Sequence, residues 1–474
     1  MLAKFKQRLS SRRNASSVLD GTYLLPSQDL SLPIHSLPFE VLAGEIFPLV
    51  VHSAGDHWLR KILVLDQVCT RWRHILHSSP LLWTNCIPIN TIQFSRQRRA
   101  GNTGIIVAKY LTAVKKGLAR SSPLPVHVSL DWSAFRPGTD DFACAVDVIT
   151  EPEIRGRWKS LHIDVRWAEE ATVDVLRALK RQSPDTLDAL IEVAFKSFPV
   201  WIRDPAAPFT TIPNHGQQRL APLEVVSIPW SQLTKLSLMS ATSLTCRTVL
   251  VKCTNLVSAG LEGVLEDDID LSALSAATLT RLSSLHLSVS QASMRATGKL
   301  ILPALTRLEL FYDTRMVRSH PAVFSLLPLH NIQKLTLNVV LDVLESADLC
   351  ALLRCTPAVT ELKLDTPFGI ENVFLNALRA DVPVTELLLP RLEMLWFHGG
   401  PRFIPYSDAE NAQALAVFQT MVMSRVGVLR RLVYKPPSLR RLDKPPPVTN
   451  KWLRGGLMLA FAAFSVNGLH VEVL

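Results

Sequence analysis

Six short segments share one pattern, and that pattern restricts the fold more than any other feature of the chain. They are Leu233-x-x-Leu236-x-Leu238, Leu282-x-x-Leu285-x-Leu287, Leu305-x-x-Leu308-x-Leu310, Ile332-x-x-Leu335-x-Leu337, Val359-x-x-Leu362-x-Leu364 and Leu392-x-x-Leu395-x-Phe397. A blurred copy at Leu256 and Leu261 falls between the first two. With centres at 236, 261, 285, 308, 335, 362 and 395, the steps run from 23 to 33 residues. The last two apolar positions of each copy stand two apart, the side-chain period of a strand. A lone strand of this kind cannot bury its leucines. Repeated at this interval, each is predicted to stack on the next while a helix or loop returns outside, forming a solenoid. An ordinary α/β domain with several parallel strands is the alternative the pattern leaves open.

The flanks of the copies repeat as well. Leu302-Pro303-Ala304-Leu305 parallels Leu389-Pro390-Arg391-Leu392, and Cys253-Thr254-Asn255-Leu256 parallels Cys355-Thr356-Pro357. Upstream, the couplet is looser. Ile106, Tyr110, Val114 and Leu118 predict a helix ending at Lys115-Lys116-Gly117, and Val126, Val128 and Leu130 alternate as a strand. Trp158 to Val165 reads as another strand, with helical patterns at Phe142 to Ile149 and Val173 to Leu179, and Leu187 to Val193 leading to a further strand. Downstream, Ala409 to Met423 reads as an amphipathic helix, Val428 to Val433 as a strand, and Leu469 to Leu474 as a final strand covering the open end.

The segment in front of the repeats has a different character. Leu37-Pro38 with Glu40 suits a helix entry, and Leu42, Ile46 and Leu49 are predicted on one side of that helix, which Pro48 should cut short or kink. Ile62, Leu65, Val68, Cys69, Trp72, Ile75 and Leu76 form the comb of one buried helix face, stopped by Pro80 and followed by the anchor Leu82-Trp83. Two short helices bury too little to stand alone. The order Leu-Pro-x-Glu-Val, Ile46-Phe47, Val68-Cys69-x-x-Trp72-Arg73, then Ser79-Pro80-x-Leu82-Trp83 resembles an F-box. That resemblance implies a small helical module docking on the Skp adaptor of a cullin–RING ubiquitin ligase. Leu37, Pro38, Ile46, Val68, Cys69, Trp72 and Trp83 would make the Skp surface or hold it in shape. A self-contained helical bundle is the alternative.

The repeats resemble degenerate leucine-rich repeats, and the whole is similar to the F-box sets of mushroom-forming fungi. The asparagine or cysteine expected after the third leucine is mostly missing, so no regular asparagine ladder is predicted. The expected fold is α/β: a small N-terminal helical F-box, then an irregular leucine-rich-repeat-like solenoid of parallel strands with outer helices. The divisions are a basic tail over 1–32, the F-box over 33–90, a linker and helix over 91–122, and the solenoid over 123–474. Proline-rich insertions lie near 199–229 and 435–447.

Composition narrows the function. At 48% hydrophobic and 19% charged residues this is a folding chain. The net charge of +10 is scattered beyond the first 20 residues, so nucleic acid is not the expected main ligand. The basic, serine-containing start also suits a mitochondrial presequence, although a basic tail is the simpler account. Seven dispersed cysteines with no CxxC pair read as reduced core thiols of the cytoplasm or nucleus. No apolar run is long enough to span a bilayer. There is no phosphate loop, nucleophile elbow or metal-spaced cluster, and the acidic run Glu262 to Asp270 reads as a solvated turn. A non-enzymatic chain without cofactor or metal is expected.

If the leucines face inward, the residues between them line the other face of the sheet. Arg307, Glu309, Phe311, Lys334, Lys363, Met394 and Trp396 are the candidate target-binding residues, Phe311, Met394 and Trp396 being apolar on an otherwise polar face. The expected role is the substrate-recognition adaptor of a Skp–cullin–F-box ligase. Its partners would be Skp, through it cullin, and an unidentified protein target, with the chain monomeric outside the complex. A ligase-independent scaffold binding protein or RNA is the alternative.

Overall fold

The structure, a computed structural model, describes residues 37–52, 58–84, 87–90, 103–131, 144, 147–148, 150–164, 187–196, 228–265, 276–312, 327–339, 346–366, 372–381, 387–398, 408–435, 464 and 468–473. The basic tail, most of the helical readings at Phe142 to Ile149 and all of that at Val173 to Leu179, nearly all of both proline-rich insertions and most of the acidic run lie outside them.

One sheet of thirteen parallel strands runs in chain order. The strands are β1 (Ile87–Asn90), β2 (Val126–Asp131), β3 (Trp158–Asp164), β4 (Glu192–Lys196), β5 (Lys235–Met239), β6 (Ser258–Glu262) and β7 (Ser284–Ser288), continuing through β8 (Arg307–Tyr312), β9 (Lys334–Val339), β10 (Glu361–Asp365), β11 (Met394–His398), β12 (Arg431–Lys435) and β13 (His470–Val473). Strictly sequential parallel pairing fits a repeat solenoid. The register aligns the central apolar residues in one row, from Leu236 through Ala259, Leu285, Leu308, Leu335 and Leu362 to Leu395. The blurred copy is therefore a full repeat centred on Ala259, not Leu261, because alanine fills the leucine position. Helices α5 (Ser243–Lys252), α6 (Gln291–Thr297), α7 (Ser346–Arg354), α8 (Asn372–Ala377) and α9 (Asp408–Ser424) supply Val249, Met294, Leu353, Phe374 and Phe418 to the same buried core.

Each copy enters its strand through a tight turn. The first leucine-type N–H bonds the carbonyl three residues back: Leu256 to Cys253, Leu305 to Leu302, Val359 to Thr356, Leu392 to Leu389. Cys253 and Thr356 thus occupy equivalent positions, both fully buried. The sequence parallel of Cys253 with Cys355 is off by one, and Cys355 is exposed, as is Cys144. In place of an asparagine ladder there is a hydroxyl ladder. Thr234, Ser283, Thr306 and Thr360 donate their hydroxyls to Ile191, Val257, Ser283 and Gln333 carbonyls one repeat earlier, at 3.2 to 3.4 Å.

The N-terminal helical unit departs from its sequence reading in two places. Its first helix, α1, does not stop at Pro48. It comprises Phe39–Val41, a π turn Leu42–Ile46 and Phe47–His52. Proline lacks the N–H that would bond Gly44, and a π turn just before it accommodates that loss. The extra residue rotates the buried face. Leu42, Phe47 and Val51 are inside, at spacings of five and four, while Leu49 is 71% exposed. Secondly, the comb from Ile62 to Leu76 is two helices, α2 (Trp58–Asp66) and α3 (Thr70–Ser78). Cys69 caps α3, its Sγ accepting from the Trp72 N–H at 3.4 Å, and Val68 in the break is 49% exposed.

The unit is joined to the sheet directly. Trp83, in the turn Pro80–Trp83, donates Nε1 to the Leu76 carbonyl at 2.7 Å, and Arg120 of α4 (Thr103–Arg120) stacks over its ring at 4.8 Å. The Thr84 carbonyl accepts from the His127 N–H of β2, so β1 at Ile87–Asn90 starts the sheet within the segment read as helical, and α4 crosses from β1 to β2. At the far end, β12 begins three residues later than the strand read at Val428. Gly427, at φ +105°, makes a turn there that L residues rarely adopt. The final segment pairs as β13 with β12.

Candidate functional site

Two surfaces stand out. On the helical unit, Phe39, Leu49, Val64, Val68 and Leu81 leave large apolar side chains in solvent; they are five of the ten such residues among those described. The residues singled out from sequence divide between surface and interior. Pro38 and Val68 are exposed; Leu37, Ile46 and Cys69 are half-buried; Trp72 and Trp83 are buried, at 8% and 3% exposure. Trp72 packs edge-on against Phe47 at 5.0 Å. Leu37 is tied down by Arg71, which donates to its carbonyl at 2.6 Å. Phe39, Leu49 and Val64 were missed because the π turn and the helix break, which no periodicity scan anticipates, set which side faces out.

The second surface is the face of the sheet opposite the leucines. Parallel register brings residues one repeat apart side by side: Arg307, Lys334, Glu361 and Met394 in one row, Glu309, Thr336, Lys363 and Trp396 in the next, Phe311, Asn338, Asp365 and His398 in the third. The seven candidate residues therefore form one patch on four adjacent strands. Arg307 and Lys334 are exposed; the other five are half-buried. The Lys363 ammonium lies 4.5 Å from the centre of the Trp396 ring, a cation–π arrangement, and His398 meets that ring at 5.9 Å.

Cross-strand pairs occupy the acids of this face. Lys334 pairs with Glu361, and His398 Nδ1 with Asp365 at 2.6 Å. Asn338 donates to Glu309 at 2.7 Å. His286 on β7 lies between two carboxylates, Nε2 3.4 Å from Glu262 and Nδ1 3.2 Å from Glu309. A neutral imidazole has one N–H, so both contacts are satisfied only by the imidazolium. Consistently, the hydrogen bond to Glu309 raises the His286 pKa, and the bond from His286 holds Glu309 below the usual carboxylate range. Nearer the N-terminus, His162 lowers the Glu192 pKa by the same kind of bond, while burial lowers that of His127. None of these pairings was read from sequence, since each joins residues 23 or more apart.

The described residues contain no group of three or more His, Cys, Asp or Glu side chains arranged to hold a metal, and no helix long and apolar enough to cross a membrane. Cys246, Cys253 and Cys350 are buried and in no disulfide, and burial pushes the Cys253 thiol up to about 12.

No family model matches the chain, and no curated protein matches it. Among solved structures it is similar to a Bacteroides fragilis protein from a structural genomics programme. The identity is 12% over 71% of this chain and 82% of that one, with a TM-score of 0.35, a likeness too slight to carry an argument. What the chain's own geometry defines is an α/β protein built on a long parallel sheet of repeating strands.

Proposed function

We propose that this chain is the substrate receptor of a Skp–cullin–F-box ubiquitin ligase, its helical unit an F-box and its sheet a degenerate leucine-rich-repeat solenoid. The observation that carries the reading is the concentration of exposed apolar side chains on residues 39–81, next to a repeat face that is polar. Half of the large apolar side chains left in solvent among the described residues fall on this short stretch, which makes it the candidate partner surface. Such a receptor is not an enzyme. It contributes proximity, turning a bimolecular encounter between target and ubiquitin-loaded partner into a tethered one. The absence of a disulfide among the six described cysteines suits the cytoplasm or nucleus.

The test is co-expression with a Skp adaptor and size-exclusion chromatography of wild type beside Leu49→Glu/Val68→Glu. Both side chains are exposed, so the double variant should keep the wild-type melting temperature and lose the complex. Undiminished complex formation by that variant, or none by wild type, would leave the ligase-independent scaffold as the better reading. RNA is the weaker ligand for that scaffold, because the central face balances three cations (Arg307, Lys334, Lys363) with three acids (Glu309, Glu361, Asp365) instead of presenting a basic track.

A further inference from the structure

We propose that the face of β8 to β11 binds target segments carrying a carboxylate side chain beside a bulky apolar one. Arg307 and Lys363 would receive the acid, and Trp396 with Met394 and Phe311 the apolar group. The inference deepens the receptor reading and rests on it for the existence of a target.

Each acid on this patch already holds a partner: Glu309 holds His286 and Asn338, Glu361 holds Lys334, Asp365 holds His398. The cations are not used up in the same way. Among the described residues no carboxylate lies within ion-pair distance of Arg307, whose strand neighbours in register are Ser284 and Lys334. Lys363 rests on the Trp396 ring and likewise has no ion pair among them. Glu309 is engaged by His286 and Asn338, and of the two cations only Lys363 also contributes to lowering its pKa. Arg307 and Lys363 stand two strands apart, on the order of 10 Å, a span of about three extended residues. Trp396 and Met394 are half-buried on the neighbouring strand, and burying the two-torsion Trp396 ring under a ligand costs little side-chain entropy. A basic or neutral segment would find the acids already taken.

The experiment selects an mRNA-displayed library of random twelve-residue peptides on the full chain, then measures the enriched peptides by fluorescence anisotropy. The proteins compared are wild type, Arg307→Glu/Lys363→Glu and Trp396→Ala. Enriched peptides should place Asp or Glu within a few positions of Trp, Phe, Leu or Met. The charge reversal should weaken them tenfold or more, Trp396→Ala by a similar factor, and peptides with the acid changed to Lys should prefer the reversed protein. The proposal is overturned by any of several outcomes: no enrichment, enrichment of basic peptides, equal binding by the variants, or poly-uridylate outcompeting the peptides. A peptide that binds only when its acid is replaced by phosphoserine would overturn the carboxylate assignment. All three proteins should recover Skp equally on co-expression, so loss of the peptide result with Skp retained refutes this inference alone. Loss of Skp by wild type refutes the receptor reading.

Discussion

Residues 37–84 and the strands from β5 to β11 bury their apolar side chains in opposite ways. In the sheet, one row of side chains recurs from Leu236 to Leu395, each member in register with its copy on the next strand. In the helical unit nothing recurs. Phe47 and Trp72 meet edge-on, Trp83 bonds the Leu76 carbonyl under Arg120, and the π turn in α1 exists for one proline. The lesson is about where a change is felt. A stack spreads a loss over neighbours of the same kind, whereas the helical unit has no second copy of anything.

The largest effects should come from the singular contacts. Trp83→Ala removes a buried ring, its bond to the Leu76 carbonyl and the stack on Arg120, and should cost about 3–5 kcal/mol. Hydrogen exchange should show lost protection over 58–84 with β7 to β10 still protected; equal loss in both would mean that the two regions unfold as one unit. The sheet has its own singular element at its far end. Arg425, 1% exposed, donates to the carbonyls of Leu378, Leu388 and Leu389, the last at 2.9 Å, and Leu389 sits at φ +53°. Arg425→Met would strand those buried carbonyls, at about 3 kcal/mol or more, read as a fall in urea midpoint.

Within the regular stack the losses should be smaller and more uniform. Leu335→Ala should cost about 2–5 kcal/mol, and Leu308→Ala a similar amount, because the two positions are equivalent in register. Very unequal values would show that the repeats are less alike than their pattern. Thr306→Val removes one rung of the hydroxyl ladder and should cost only about 0.5–1.5 kcal/mol. Thermal melts of Thr234→Val and Thr360→Val should match it.

The smallest effect should be on pH dependence. His286 has a raised pKa when folded, so its contribution is full below its unfolded value of 6.5 and fades as pH rises through the folded value. Glu309 has a lowered one, so its contribution is present above 4.5 and lost as pH falls through the folded value. Together they should stabilise most between pH 4.5 and 6.5. His286→Gln should flatten the stability–pH curve above that window, as measured by denaturant midpoints. An unchanged slope would mean that solvent screens the pair.

Much of the fold was legible because it rests on local periodicity. The six leucine copies and the helix over Asp408–Ser424 follow from spacing alone, as does the helix over Thr103–Arg120, although it runs on through Gly117, which was read as its stop. The misses have physical causes. Ala259 hid a repeat because a small residue satisfies the core where neighbours fill the space. Val428 was read into a strand although the Gly427 turn delays it. Leu49 was placed inside because a π turn changes the period in mid-helix. The candidate residues share one face of the sheet, as their two-residue period requires, but the pairing of Lys363 with Trp396 and of His286 with two acids was not foreseen.

That division has a single reason. Which side chains turn inward depends on a two-residue period within each strand, and this the sequence by itself determined. Which side chains lie next to one another depends on how loops of unequal length set the parallel register, and only the tertiary structure decided that. The exposed apolar set of the helical unit, the hydroxyl ladder, the Arg425 contacts and the cations left over beside Trp396 all belong to the second kind. Each is made by residues far apart in the chain, or by a helix that changes its own period.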